Sequence, residues 1–443
     1  MNTQSRLLHI PGIRQDGRRH ESISIDDLAH TLRTHFRVPT AGPGGALRST
    51  RDWRLVVPTE AVHGPPVAER IRAVAELCRL RKAEEPLIFQ APPGESGEAA
   101  MDLWIENHAQ VLAERQQTLL LLGDAAELPW LLQQKLGLSH AVGRLHFEDA
   151  DAYARYAARV CMPPPEKINP RAVLFGTDTD ELTRWGRSLV VEPMVGRLGR
   201  HLREEDIQLL VGDDATTTNL APALETAHLL FALSHGGVGS YDGDPWWGAL
   251  MGQENAETGD ALWAPHIPKR GAIAEGGAVV MFSCFGLGAR RDDTMPGFLP
   301  DWATGEFNRT HDGVAPMPSA MLDHPRGPLG VVGHVGQAYL WGVYSGLTGA
   351  PVSGNSAGLR PIQSLMGELA QGASFGTAMW PLRNLVTKRL DELRKYWQQP
   401  TTAGLGSPED NYELVERWVT WNDAFAWALM GDPAACPVWG VSR

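Results

Sequence analysis

The feature that most constrains this chain is a series of short, continuously apolar runs, each ending in a turn signal such as glycine, aspartate or histidine. Such a run is typical of a strand buried on both faces, as in a parallel sheet. Helical patterns lie between most of the runs, which predicts an α/β fold with a mostly parallel sheet and helices on both faces. The predicted strands are 118–122, 172–175, 207–211, 228–234, 278–283 and 329–334.

The length of 443 residues exceeds what one compact core holds, and about 150 residues per domain gives two or three domains. Three consecutive prolines at 163–165 stiffen the chain and exclude regular structure, so we place a boundary there. We predict an N-terminal α/β subdomain over residues 1–165 and a second domain over 166–400. A helical pattern at 411–430 predicts a C-terminal helical segment over 401–443.

Composition and charge exclude several classes of protein. The net charge is −12 and no Lys/Arg run occurs, so we expect no nucleic-acid partner. No apolar stretch approaches 18 residues and the first residues lack a secretion signal, so we expect no membrane span and a cytoplasmic location. Only four cysteines are present, without a CxxC pair, so we expect neither a disulfide scaffold nor a thiolate zinc site. We also expect no cofactor and no metal ion, apart from the weak calcium hypothesis considered below.

Two of the predicted strands end in residues that carry chemistry. His235 follows strand 228–234, and Cys284 follows strand 278–283. Functional groups gather beyond the carboxyl ends of strands in an open α/β sheet, so both residues are expected to face one cleft. A thiol is a strong nucleophile and an imidazole titrates near neutrality, so the pair fits nucleophilic catalysis, with His235 as the general base.

The glycines beside these residues fit the same chemistry. A tetrahedral oxyanion needs hydrogen-bond donors, and the backbone amides of Gly236 and Cys284 are the candidates. The alternative interpretation is that Cys284 is an inert, buried thiol, as most such cysteines are. The conjunction of two strand ends and two glycine turns favours the catalytic interpretation. The other cysteines, Cys78, Cys161 and Cys436, have no comparable His-Gly partner.

The chain resembles a CHAT-type caspase-like cysteine protease of the caspase, gingipain and separase superfamily. The resemblance covers about residues 170–385 and implies a His235/Cys284 dyad, whose spacing is similar to the separation of about 50 residues in caspases. The N-terminal part, at 118–129, loosely resembles the dyad-less subdomain that precedes the catalytic one in gingipains. The matching stretches are GDDAT at 212–216, SHG at 234–236, SCFG at 283–286, VVGHV at 331–335, WG at 341–342 and FGTAM at 375–379.

The resemblance also suggests where specificity is determined, and here the alternatives stay open. The caspase motif Q-A-C-x-G is absent and Phe285 follows the cysteine, which argues against caspase specificity for aspartate. In this superfamily the loop after the first catalytic-domain strand helps to form the pocket for the residue before the scissile bond. That loop carries Asp178 and Asp180, which implies a basic residue at that substrate position. These carboxylates would equally suit the start of a helix.

Other residues offer competing specificity sites. Asp213 and Asp214 follow the next strand and are alternative substrate-binding carboxylates. Arg290 and Arg291, just after the cysteine, would instead favour an acidic substrate residue.

Three further stretches carry weaker hypotheses. The Asp-Gly-Asp at 242–244 is either a fragment of a calcium site or, more commonly, an acidic turn. Trp246 and Trp247 are candidates for the cleft wall or for core. Residues 285–327 are rich in Gly and Pro and are predicted to form a long structureless loop that shapes the cleft or is cut on activation.

Three functions compete at this point. The first is an endopeptidase that cleaves a specific protein substrate, similar to proteases of prokaryotic immunity and cell death, with an activating or inhibitory protein partner. The second is a non-catalytic caspase-like scaffold, which predicts loss of a dyad residue. The third is another cysteine hydrolase or transferase, which the arrangement at the strand ends does not distinguish.

Overall fold

The protein is described here from a computed structural model, which describes residues 7–9, 22–24, 52–91, 97–113, 116–163, 168–237, 244–253, 260–290, 312–338, 359–397 and 408–437. Its strands, in chain order, are β1 (Leu7–His9), β2 (Ser22–Ser24), β3 (Trp53–Pro58), β4 (Leu87–Phe89), β5 (Thr118–Leu122), β6 (Ala141–Leu145), β7 (Ala172–Gly176), β8 (Ile207–Val211), β9 (Leu229–Leu233), β10 (Leu250–Met251), β11 (Ala261–Leu262), β12 (Ala278–Phe282), β13 (Gly288–Ala289), β14 (Gly313–Val314), β15 (Gly330–His334) and β16 (Trp427–Gly431).

The α-helices are α1 (Val67–Ala73), α2 (Ala75–Arg81), α3 (Gly97–Asn107), α4 (Ala109–Ala113), α5 (Trp130–Gly137), α6 (Ala150–Cys161), α7 (Glu181–Gly186), α8 (Glu192–Leu198), α9 (Thr217–Thr226), α10 (Pro316–Asp323), α11 (Leu359–Ala370), α12 (Phe375–Ala378), α13 (Trp380–Trp397) and α14 (Pro408–Phe425). A π-helical segment, Arg187–Val191, joins α7 to α8. No helix in the described part of the chain is both long enough and apolar enough to cross a membrane.

Ten strands form one central sheet in the order β4-β3-β5-β6-β16-β15-β12-β9-β7-β8. Neighbouring strands are parallel within each half, whereas β15 and β16 pair antiparallel where the halves meet. The two halves therefore run in opposite directions, and their strands present carboxyl ends at opposite edges of the sheet. This is the predicted caspase-like α/β architecture, a mostly parallel sheet preceded in the chain by a second α/β unit.

The core shows how the apolar runs become strands. Alternate residues of each strand point to opposite faces, so a strand covered on both faces must be apolar throughout. One face carries a single core that spans both halves, including Leu120, Val173 and Val279. The opposite face divides into two clusters, one over each half, represented by Leu121 and Val280.

All six predicted strands are confirmed, but the prediction for the C-terminus is wrong in part. The helix α14 ends at Phe425, and β16 follows as a strand in the middle of the sheet. Its sequence WALMG consists largely of good helix formers, but both edges of this strand find partners, and tertiary context overrides propensity. The predicted boundary near residue 165 stays a prediction, although strands from both sides of it belong to one sheet.

The stretch 285–327 also differs from its prediction. The segment 291–311 lies outside the described residues, but β13, β14 and α10 give regular structure to the flanking parts. Met317 and Met321 of α10 are fully buried. These flanking parts therefore belong to the core and are not a structureless loop.

Candidate active site

The sheet register brings the predicted histidine and cysteine to matching positions. Strands β9 and β12 are adjacent and parallel, with Leu233 opposite Phe282. His235 and Cys284 each follow two residues later. The backbones of the two loops are in contact, because a Cβ placed on Gly236 would lie only 1.8 Å from the carbonyl oxygen of Cys284. Only glycine allows this close approach.

The cysteine lies on a tight turn that is bound to the end of the next strand. Phe285 has a φ of 54°, in the left-handed region that costs a non-glycine residue energy. The Phe285 amide donates to the carbonyl oxygen of Gly336 at 2.6 Å. The Leu287 amide donates to the carbonyl oxygen of His334 at 2.9 Å. Phe285 itself is buried. These contacts hold the strained turn in place.

The thiol of Cys284 is partly buried and touches the loop after β15. The amide nitrogen of Ala338 lies 3.4 Å from Sγ, and the carbonyl oxygen of Ala338 lies 3.7 Å from it. The side chain also packs against a small cluster that includes Trp247 and Phe285. Sequence reasoning missed Ala338, because a backbone contact leaves no signal in residue identity.

His235 has an acidic partner, Asp180. The Nε2 atom of His235 lies 3.0 Å from Oδ2 of Asp180. Burial, the strongest single influence, raises the pKa of Asp180, but hydrogen bonds from His235 and Thr183 outweigh it and hold the pKa well below its usual range. Asp180 therefore faces the imidazole as a carboxylate, an arrangement that orients the ring.

Asp180 was predicted as a substrate-binding residue, with the start of a helix as the alternative. That alternative is confirmed, because its carboxylate caps α7 by accepting from the amide of Thr183 at 2.8 Å, and the Thr183 hydroxyl completes a capping box. The same side chain thus starts a helix and contacts His235.

The other acidic residue of this loop, Asp178, has two partners. Arg187 donates to its Oδ2 atom at 2.6 Å, and the side-chain amide of Gln253 donates to its Oδ1 atom at 2.6 Å. The sequence interpretation missed both partners. Both lie far enough away along the chain that no local pattern predicts the contacts.

The remaining two predicted substrate-binding residues, Asp213 and Asp214, lie in an exposed 3₁₀ turn after β8. This turn is at the same edge of the sheet as His235 and Cys284. The substrate-binding role stays a prediction for all four aspartates.

The predicted oxyanion donors, the amides of Gly236 and Cys284, belong to the two loops whose backbones are in contact. Gly236 forms an isolated β-bridge with Leu250. In this bridge the amide of Gly237 donates to the carbonyl oxygen of Ala249 at 2.9 Å, and the amide of Met251 donates to the carbonyl oxygen of His235 at 3.2 Å. The Gly236 amide takes part in neither bond. Its role as oxyanion donor, like that of the Cys284 amide, stays a prediction.

The weaker hypotheses have different outcomes. Trp247 is 1% exposed and belongs to the core cluster behind Cys284, whereas Trp246 is partly exposed and packs edge-on against Trp263. Arg290 contacts Gln134 of the N-terminal half at 3.5 Å. Arg291 lies outside the described residues.

The calcium hypothesis falls largely on residues that the structure does not describe. Asp242 and Gly243 are among these, while Asp244 accepts a hydrogen bond from the amide of Trp246 at 3.0 Å, as in an acidic turn. Within the described ranges, no group of three or more His, Cys, Asp or Glu side chains is arranged to hold a metal ion.

The other three cysteines differ from Cys284 in their surroundings. Burial raises the pKa of both Cys78 and Cys161, which disfavours their thiolate forms. Cys436 is exposed on the segment after β16.

Fold and site together define a class, the caspase-like α/β fold with a histidine and a cysteine at neighbouring strand ends. Two solved structures share this fold. One, described as a protease, has a TM-score of 0.52, 14% identity and coverage of 92% of this chain and 81% of its own. The other, a complex of the pro- and mature domains of RgpB from Porphyromonas gingivalis, has a TM-score of 0.50, 11% identity and coverage of 87% and 79%. No protein-family model and no curated protein matches the chain.

Proposed function

We propose that this protein is a cysteine endopeptidase with Cys284 as nucleophile and His235 as general base. The observation that carries the proposal is the register of β9 and β12, which sets the two residues at equal distances beyond paired strands. The contact between the Gly236 and Cys284 backbones and the bond from His235 to Asp180 support it. The fold shared with a solved structure described as a protease is consistent with the same chemistry.

The geometry supports a specific division of roles. The Nε2 atom of His235 faces Asp180, so Nδ1 is the nitrogen that accepts the proton of the Cys284 thiol. The sulfur attacks the peptide carbonyl carbon, the oxyanion accepts hydrogen bonds from the Gly236 and Cys284 amides, and His235 protonates the leaving amine. Water, deprotonated by His235, then hydrolyses the thioester and releases Cys284. Asp180 acts as a positioning residue throughout.

The finer parts of the proposal rest on the sequence resemblance. We propose a CHAT-type protease that cleaves a specific protein substrate in prokaryotic immunity or cell death, under control of a protein partner. For cleavage after a basic residue, the exposed Asp213 and Asp214 are better placed than Asp178, whose carboxylate already binds Arg187 and Gln253. A non-catalytic scaffold is disfavoured because both dyad residues are present.

The test compares wild type with Cys284→Ala on fluorogenic peptides carrying Arg, Lys, Asp or Leu before the scissile bond. We expect wild type to cleave, Cys284→Ala to lose all detectable cleavage, and iodoacetamide labelling at position 284 to disappear. Cys436→Ala, which removes an exposed cysteine away from the strand ends, is the matched control and keeps activity. Equal cleavage by Cys284→Ala and wild type would exclude the dyad, and cleavage only after Asp would exclude the basic specificity.

A further inference from the structure

A small cavity lies on the face of the sheet where two core clusters meet. It measures about 30 Å³, which exceeds the space that one water molecule needs. Helices α5 and α13, the end of α14 and strands β6 and β16 contribute residues to its lining. Its lining is largely apolar, with Val142, Leu382 and Trp427 among the contributing residues, and its polar side chains are Gln133, Gln134 and Arg383.

Arg383 is the unusual member of this lining. It lies in the first turn of α13 and is only 7% exposed. Its Nη1 atom is fully buried and has no hydrogen-bond partner among the described residues. Among the residues that the structure describes, those that line the cavity carry no carboxylate. Burial lowers the pKa of Arg383 to about 10, so the guanidinium is still charged at neutral pH.

The two glutamines of the cavity do not compensate this charge, because their side chains already have partners. Gln133 donates to the carbonyl oxygen of Leu429 at 2.9 Å and accepts from Arg144 at 3.0 Å. Gln134 donates to the carbonyl oxygen of Phe425 at 3.1 Å and contacts Arg290 at 3.5 Å.

Arg144 and Arg290 thus occupy the side-chain oxygens of the two glutamines. A buried charge without a counter-ion is strongly unfavourable in a folded protein. An anion next to Arg383 removes that penalty.

We propose that this cavity is a binding site for a small monovalent inorganic anion of the size of chloride, held by the Arg383 guanidinium. The site lies at the junction of the two halves of the sheet. Trp427, which lines the cavity, packs against Phe282 with the ring centroids 5.3 Å apart. Phe282 lies two residues before Cys284 in the chain. The anion thus completes the packing under the strand that carries the candidate nucleophile. The proposal is independent of the proposed protease activity.

Bromide provides a direct test, because it resembles chloride and scatters anomalously. Crystals of the full chain grown in sodium bromide are expected to show an anomalous peak within about 4 Å of the Arg383 guanidinium, in hydrogen-bond range for a large halide. Absence of the peak, or a carboxylate of the chain itself in that position, would overturn the proposal. This measurement uses wild-type protein, so it does not depend on whether a variant folds.

Thermal unfolding at constant ionic strength tests the same site in solution. When sodium gluconate is replaced by sodium chloride, we expect the midpoint of wild type to rise by about 2 °C or more. Arg383→Met is expected to lose this response. Arg389→Met, a substitution on the same helix at a residue paired with Glu392 outside the cavity lining, is expected to keep it. Equal chloride responses in Arg383→Met and wild type would contradict the assignment.

Discussion

Asp180 performs two tasks with one carboxylate, because its two oxygens face different groups. Oδ1 accepts from the first turn of α7, and Oδ2 contacts His235. Asparagine is nearly as good a helix cap as aspartate but carries no charge. The substitution Asp180→Asn therefore separates the two tasks.

We predict that Asp180→Asn lowers kcat/KM by about tenfold to a hundredfold, part of the ~10²–10⁴-fold that general acid–base catalysis contributes. Asp149→Asn is the matched control, because Asp149 caps α6 in the same way without a catalytic partner. It is expected to leave kcat/KM unchanged. If Asp180→Asn, Asp149→Asn and wild type have equal kcat/KM, the role of Asp180 is limited to capping α7.

Stability as a function of pH gives a second measure of the same substitution. The folded protein holds the pKa of Asp180 below its value in the unfolded chain, so ionised Asp180 stabilises the fold. This stabilisation is fully present above about pH 5 and is lost as the pH falls through the folded-state pKa. The difference in unfolding free energy between wild type and Asp180→Asn is therefore expected to shrink on acidification. A difference that stays constant down to acid pH would contradict this assignment.

Gly236 tests whether contact between the two loops matters. Alanine there would place a methyl group 1.8 Å from the Cys284 carbonyl oxygen, so the loops must separate. A displacement of about 1 Å costs a catalytic site roughly a hundredfold, and we expect a loss of that size in kcat/KM for Gly236→Ala. Gly196→Ala, on α8 with no atom within 4 Å, is the control and is expected to match or exceed wild-type stability. Wild-type activity in Gly236→Ala would argue against this contact.

At the residue scale, the placement of His235 and Cys284 at neighbouring strand ends was predictable, and the residues that contact them were not. His235 and Cys284 follow apolar runs directly, so strand prediction alone placed them at one edge. Asp180 was predicted as a candidate site residue, but its contact with His235 joins the loops after β7 and β9, and no local pattern predicts such a contact. Ala338 contributes backbone atoms, which carry no residue-specific signal.

At the element scale, the six apolar runs that end in a turn signal were predicted as strands, β16 was predicted as helix, and β3 and β6, whose apolar sequences are interrupted, were missed. β3 contains Arg54 and ends in proline, and β6 contains a glycine and the buried Arg144. Arg144 is accommodated because its guanidinium donates to Gln133 and to the carbonyl oxygen of Gly123, at 3.0 Å each. These hydrogen-bond acceptors for a buried arginine come from outside the strand. A local sequence pattern therefore does not predict such a strand.

The C-terminal strand β16 is joined to the N-terminal half by Asp432, which follows it and is fully buried. Asp432 accepts from the indole of Trp53 at 3.0 Å and pairs with Arg81 at 2.8 Å. We predict that Asp432→Ala lowers the free energy of unfolding by about 3–5 kcal/mol, because it leaves buried donors without an acceptor.

Urea unfolding measures this loss against a matched ion pair at the surface. Asp323 pairs with Arg155 at 2.6 Å, and both side chains are more than a third exposed. Asp323→Ala is expected to cost less than about 1 kcal/mol. Similar losses in both variants would contradict the role of Asp432 in joining β16 to the first half.

At the scale of the whole molecule, the sheet has an approximate two-fold arrangement about the β15–β16 pair. Each side has four further strands, in the orders 6-5-3-4 and 12-9-7-8. The strands of the first half end at the edge opposite His235 and Cys284. The first half supplies β6, which pairs with β16. The N-terminal half is therefore joined to the half that carries His235 and Cys284 through the shared sheet.

This arrangement predicts the behaviour of a chain cut between the halves. A protease recognition site in place of residues 164–167 would yield two fragments, of which only the second contains β16. Because β16 pairs with β6 of the first fragment, and Asp432 binds Trp53 and Arg81 there, we expect the fragments to co-elute in gel filtration. They should separate only in denaturant, and peptide cleavage by the cut protein should match that of the intact chain. The control is the same variant, with the recognition site in place of residues 164–167, left uncut. Fragments that separate in native buffer would show instead that the halves are independent domains.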